Sequence, residues 1–117
     1  MPGVLPGDGG GYDIRRLIAD CDLRCLIERY PWDWAEAWDI TGCESGHGTN
    51  PAAYDLDAEN GGAWQVNRAT WSDFFEVRYG WPWERVVMDD ETNTAAAWII
   101  YARAGWTWLP WACKRGE

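Results

Sequence analysis

The stretch Gly42–Asn50, GCESGHGTN, sets a carboxylate, Glu44, between a cysteine and a Ser-Gly turn. The preceding residues have helical spacing, and Gly46 and Gly48 end the helix, so Glu44 falls in its last turn or just beyond. An anion there faces the negative end of the helix dipole. Partial dehydration at that place raises a carboxyl pKa and keeps the proton on near neutral pH. The group can then serve as a general acid, as is needed to protonate the leaving oxygen of a glycosidic bond. A solvated helix-end glutamate is the plainer alternative. Three further acids, Asp55, Asp57 and Glu59, follow in the loop and are candidates for a second carboxylate.

These groups need a scaffold, and the chain is long enough for one compact domain. It has 117 residues, 47% of them hydrophobic and 25% charged. Residues 1–11, with five glycines and two prolines, read as a flexible leader, which leaves 12–117 as the folded domain. Hydrophobic spacing through Ile14, Leu17, Ile18, Cys21 and Cys25 predicts a first helix over 13–30, stopped by Pro31. Asp33 and Glu36 have the spacing of a capping box, followed by an inner stripe of Trp34, Ala37, Trp38 and Thr41. The segment 50–67 is rich in Pro, Asn, Asp and Gly and predicts an irregular loop or short hairpin. Asn67 is a suitable N-cap for a helix carrying Trp71, Phe74 and Phe75 and ending at Gly80. WPW at 81–83 turns the chain, and a last helix runs from about Asp90 to Arg103, closed by Gly105. The aromatic tail after it folds back over the core. The expected class is mainly α, with one polar excursion after the second helix.

Composition narrows the partners. A net charge of −9 argues against nucleic acid and anionic lipid, which are held by basic patches. No apolar run approaches the roughly 20 residues that span a bilayer, and the first residues lack signal-peptide character. Eleven tryptophans suit a dense core or a groove for sugar rings, and most are assigned to the core. Four cysteines allow three connectivities, and sequence alone does not choose. A bond between Cys43 and Cys113 would tie the carboxylate segment to the tail and contribute roughly 4 kcal/mol by loop-closure entropy. Cys21 and Cys25, four residues apart on the expected helix, read as buried free thiols, because a bridge across one helical turn is awkward. Their spacing with His47 fits zinc poorly, and DLDAENG has an incomplete calcium register. No metal or cofactor is expected.

Three segments in order, AWDITGCESGHGTNPAA, GGAWQVNRATW and ETNTAAAWIIYARAGWTWLPWAC, resemble the lysozyme-like superfamily, in particular its transglycosylase-type and resuscitation-promoting-factor-like muramidases. The resemblance runs from Trp34 to Cys113. It implies an α+β lysozyme-like fold and cleavage of the β-1,4 bond between N-acetylmuramic acid and N-acetylglucosamine in peptidoglycan. By the same resemblance Glu44 is the acid/base, Ser45 supports the turn behind it, and Gln65 lies on the groove floor. Gly61 and Gly62 let the glycan approach the backbone, Asn93 anchors the last helix, and Cys43 pairs with Cys113. Ser45, Tyr54, Trp64, Asn67, Trp106 and Trp108 are further expected along the groove as substrate-binding residues, the aromatic ones stacking sugars and bonding acetamido groups. In the goose-type branch an acid stands two residues after the glutamine, whereas here that place holds Asn67.

A lytic transglycosylase needs one protein acid/base and a lysozyme needs help for water, and the motif is common to both. The implied partner is the peptidoglycan glycan strand, the implied place of action the bacterial cell wall, and a monomer is expected. Short length without a signal peptide points to a phage lysis or virion enzyme or an excised domain. Two other readings stand beside it: a catalytically silent glycan-binding module that keeps the groove, and a structural domain whose tryptophans are all core.

Overall fold

A computed structural model describes residues 21–113, which form a mainly α fold with one short hairpin. The expected leader over 1–11 and the first part of the expected first helix, with Ile14, Leu17 and Ile18, lie outside the described residues. In chain order the elements are α1 (Leu23–Glu28), α2 (Trp34–Ser45), a 3-10 turn (Pro51–Tyr54), β1 (Asn60–Gly61), β2 (Val66–Asn67), α3 (Arg68–Tyr79), α4 (Trp83–Met88) and α5 (Asp90–Arg103).

The helix ends are made locally. Asp33 accepts a hydrogen bond from Glu36 N at 2.9 Å and starts α2; Asn67 does the same for Thr70 N and starts α3. Gly46 and Gly80, both in the left-handed region, end those helices. The first helix differs from expectation. Asp22 has extended backbone and caps α1 through Cys25 N, so Cys21 lies ahead of the helix instead of inside it. That corrects the reading of two free thiols. With Cys21 off the helical path, the Cα atoms of Cys21 and Cys25 stand 5.2 Å apart and a disulfide joins them. The second disulfide links Cys43 to Cys113. WPW proves to be more than a turn: Pro82 precedes the short α4, whose Val86 and Val87 are buried.

The core is aromatic to an unusual degree. Trp32 packs against Trp64, Trp98, Tyr101 and Trp108, while Trp64 and Trp108 lie parallel with centroids 6.1 Å apart. A buried indole N–H needs an acceptor. Trp32 finds Ile27 O, Trp64 finds Thr94 Oγ1, Trp108 finds Glu36 Oε1 and Trp111 finds Trp64 O. The last two bonds bring the tail back onto α2 and the hairpin, as expected. The small face of α5, Ala96 and Ala97, is fully buried and lets neighbouring chain approach closely.

β1 and β2 pair antiparallel, Asn60 opposite Asn67 and Gly61 opposite Val66. Asn93, fully buried on α5, holds this hairpin. Its Oδ1 accepts Trp64 N–H at 2.8 Å, and its Nδ2 donates to Gly61 O and Val86 O. One side chain thus ties the hairpin to α4 and α5.

Candidate active site

The C-terminus of α2 is built to present Glu44. Gly46, His47 and Gly48 follow it at φ 62, 58 and 78°, three consecutive left-handed residues that reverse the chain. For His47, which is not a glycine, this conformation is unfavourable. Its imidazole compensates by stacking on Trp38, centroids 3.7 Å apart, with Nε2 3.1 Å from Trp38 O. A Cβ on Gly42 would lie 2.7 Å from that Nε2, so Gly42 makes the room. Ser45 is buried, donates to Ala63 O at 2.7 Å and accepts from Gly48 N at 2.8 Å. It therefore braces the turn behind Glu44 against the hairpin, the role that the resemblance implied.

Glu44 opens into a cleft of about 440 Å³. The hairpin and its turn give one side, with Asn60, Gln65, Val66 and Asn67; the first turns of α3 add Thr70 and Trp71. The tail gives the facing wall, with Pro110, Trp111 and Ala112. Burial raises the Glu44 pKa, and a hydrogen bond from the Cys113 backbone opposes that rise. Among the described residues that line the cleft, Glu44 is the only ionisable one. The site can hold a proton in a half-dry place beside neutral hydrogen-bonding groups and two indoles, and can release it to a bound oxygen.

Of the residues singled out in the sequence, Glu44, Gln65 and Asn67 meet in this cleft. The others do not line it, and Ser45, expected to bind substrate, is buried with its hydroxyl taken up by Ala63 O and Gly48 N. Trp64 is 0% exposed and Trp108 8% exposed, so neither offers a face to a sugar, and both are core residues. Trp106 is 59% exposed but rests on Trp98 and Tyr101, away from the lining. The Tyr54 hydroxyl lies 3.1 Å from Gly48 O and 3.0 Å from Asp90 Oδ1, so it clamps the turn after Glu44 to the start of α5. Burial, with the adjacent Asp90 carboxylate, pushes the Tyr54 pKa far up. The Asp90 pKa is also raised, chiefly by burial.

The loop acids stand elsewhere. Asp57 and Glu59 line a separate shallow depression with Arg68, Ser72 and Asp73, and Asp55 Oδ1 accepts from Asp57 N within the loop. None of the three borders the Glu44 cleft.

Trp71, Thr70, Asn60 and Trp111 were missed as lining residues. For the first two a signal existed: Asn67, Thr70 and Trp71 are spaced i, i+3, i+4 and share one face of the helix start. No protein-family model matches the chain, and no curated protein and no solved structure matches it.

Proposed function

We propose that this protein is a lysozyme-like muramidase that cleaves the β-1,4 bond between N-acetylmuramic acid and N-acetylglucosamine in peptidoglycan, with Glu44 as general acid/base. The observation that carries the reading is the isolation of Glu44: one dehydrated carboxyl in a cleft whose other lining side chains, among the described residues, are neutral. That arrangement favours the route with a single protein acid/base. Protonated Glu44 gives its proton to the glycosidic oxygen as the bond from C1 breaks. The muramyl 6-hydroxyl then bonds C1 while the Glu44 carboxylate takes the hydroxyl proton. The products are a free 4-hydroxyl on one fragment and a 1,6-anhydro ring on the other, with no water consumed. Such an enzyme acts at the bacterial cell wall, and a phage lysis or virion role fits a domain of this size.

The ring of Trp71, half-buried at the cleft, supports the glycan reading, since an indole beside neutral amides suits a half-polar sugar. Turbidity loss of a purified wall suspension tests the activity, and Glu44→Gln, which keeps the shape and removes the acid, should lower it at least about 10²-fold. Wild-type protein that sediments with walls without clearing them would leave only a silent binding module. Mass spectrometry of the digest then decides the route: anhydro ends are expected, and reducing ends throughout would make the enzyme a hydrolase.

A further inference from the structure

The Tyr54 hydroxyl oxygen stands between two acceptors, Gly48 O at 3.1 Å and Asp90 Oδ1 at 3.0 Å. A hydroxyl carries one proton, so it cannot donate to both. Both contacts become hydrogen bonds only when one of the outer groups brings a proton of its own, and of the two only the Asp90 carboxyl can. With that proton in place Asp90 donates to Tyr54, and Tyr54 donates to Gly48 O. Without it the anion draws the hydroxyl proton, because a charged acceptor makes the stronger bond, and Gly48 O is left with no donor among the described residues. The consequence reaches Glu44 by a short path. Gly48 N donates to Ser45 Oγ at 2.8 Å, and Ser45 follows Glu44 in the chain.

The surroundings of Asp90 govern how firmly the proton is held. Among the described residues no cation is ion-paired with it. Burial raises its pKa; the Tyr54 hydrogen bond opposes that rise, and the neighbouring Asp89 carboxylate adds to it. The dipole at the start of α5 also works against the rise. Cations on the adjacent elements are engaged elsewhere: Arg85 of α4 donates to the Thr92 hydroxyl, which donates to Asp89, and Arg29, the C-cap of α1, pairs with Glu91 at 2.7 Å. His47, in the turn itself, lies on Trp38.

We infer that Asp90 is a proton-gated positioning residue: protonated, it locks the turn after Glu44 to α5 through Tyr54, and ionised, it lets that turn loosen. Its effect on glycan cleavage rests on the muramidase reading above; the state of the turn does not.

Hydrogen exchange of the Gly48 amide, followed by NMR in the full chain and corrected for the intrinsic pH dependence of exchange, reads the turn directly. Protection should be about threefold or more higher at pH 4 than at pH 7, as loss of one hydrogen bond implies. The midpoint of that change should coincide with the titration of the Asp90 side-chain carboxyl carbon, and midpoints about one pH unit or more apart would overturn the inference without any variant. Asp90→Asn presents an amide donor to Tyr54 at every pH, so Gly48 should be equally protected at the two pH values and as well as in the parent at pH 4. In a Tyr54→Phe background the same change should leave Gly48 protection unaltered. Constant protection in the parent, or a pH dependence that survives in Asp90→Asn, would sink the switch. On the muramidase reading Asp90→Asn should also clear walls faster than the parent at pH 7 and no faster at pH 4. Walls left intact by both proteins while exchange behaves as stated would remove the muramidase reading and leave the switch standing. Walls cleared by both with pH-independent exchange would do the reverse.

Discussion

The Cys113 backbone donates a hydrogen bond to the Glu44 carboxyl, so the residue that closes the Cys43–Cys113 disulfide also touches the proposed acid. The tail between Pro110 and Cys113 both dehydrates Glu44 and supplies a polar contact to it. Burial is the larger influence, and the net pKa is raised.

That sign has a consequence for stability. With its pKa higher folded than unfolded, Glu44 contributes stability in full below its ordinary value of 4.5, and the contribution is lost as pH rises through the folded value. The ionised carboxylate in the cleft is then a burden. Glu44→Gln should melt above the parent at pH 7, with the gap closing below pH 4.5. Parent and variant melting together at every pH would show that the carboxyl is not dehydrated. Activity should fall on the alkaline side in the same range as Glu44 loses its proton.

The two disulfides should differ in weight. Cys43–Cys113 closes 70 residues and Cys21–Cys25 only 4. Loop-closure entropy then gives about 4 kcal/mol for the first and about 2 for the second. Cys113→Ser should lower Tm by more than Cys25→Ser, and it alone should slow wall clearing, because it loosens a wall of the cleft. Equal losses of rate in both variants would contradict the assigned role of the tail.

Two left-handed glycines make a matched comparison. Gly62, at φ 84°, lies so close to the Asn93 amide that an added Cβ would overlap it, whereas Gly80, at φ 71°, has nothing within 4 Å. Gly62→Ala should disrupt the three hydrogen bonds of Asn93 and cost about 3 kcal/mol or more. Gly80→Ala should cost only about 1 kcal/mol, for its backbone conformation. Thermal melts of the two variants read the difference.

Trp71 and Trp106 separate cleft from surface. Trp71 lines the cleft and also packs on Phe74 and Phe75, so Trp71→Ala should reduce clearing by about tenfold or more and lower Tm modestly. Trp106→Ala, outside the lining, should keep its clearing rate within about twofold. A larger loss at Trp106 would place glycan on a face of the molecule that the cleft does not reach.

The sequence was most legible where structure is local. Asp33, Gly46, Asn67 and Gly80 bound their helices as expected, because each acts on backbone groups within one turn. Cys21 and Cys25 were misjudged because their bond depends on where α1 begins, and the hydrophobic spacing continued past that point. Trp64 and Trp108 were assigned to the groove because residue type says that an indole is wanted and leaves open which surface covers it. That answer comes from Trp32, distant in sequence from both, and for Trp64 also from Trp111. The same holds for Asp57 and Glu59, whose loop turns them toward Arg68 and away from Glu44.

A ribosome reads toward the C-terminus, so Pro110, Trp111 and Ala112 are added after every other described residue of the cleft. Until then that wall of the cleft is missing, and Glu44 is more open to water than in the folded chain. Translation that halts ahead of Pro110 releases a fragment bearing the acid without the enclosure that lets it keep a proton. On the proposed mechanism a fragment that ends before Pro110 lacks one wall of the cleft and should clear walls more slowly than the whole chain.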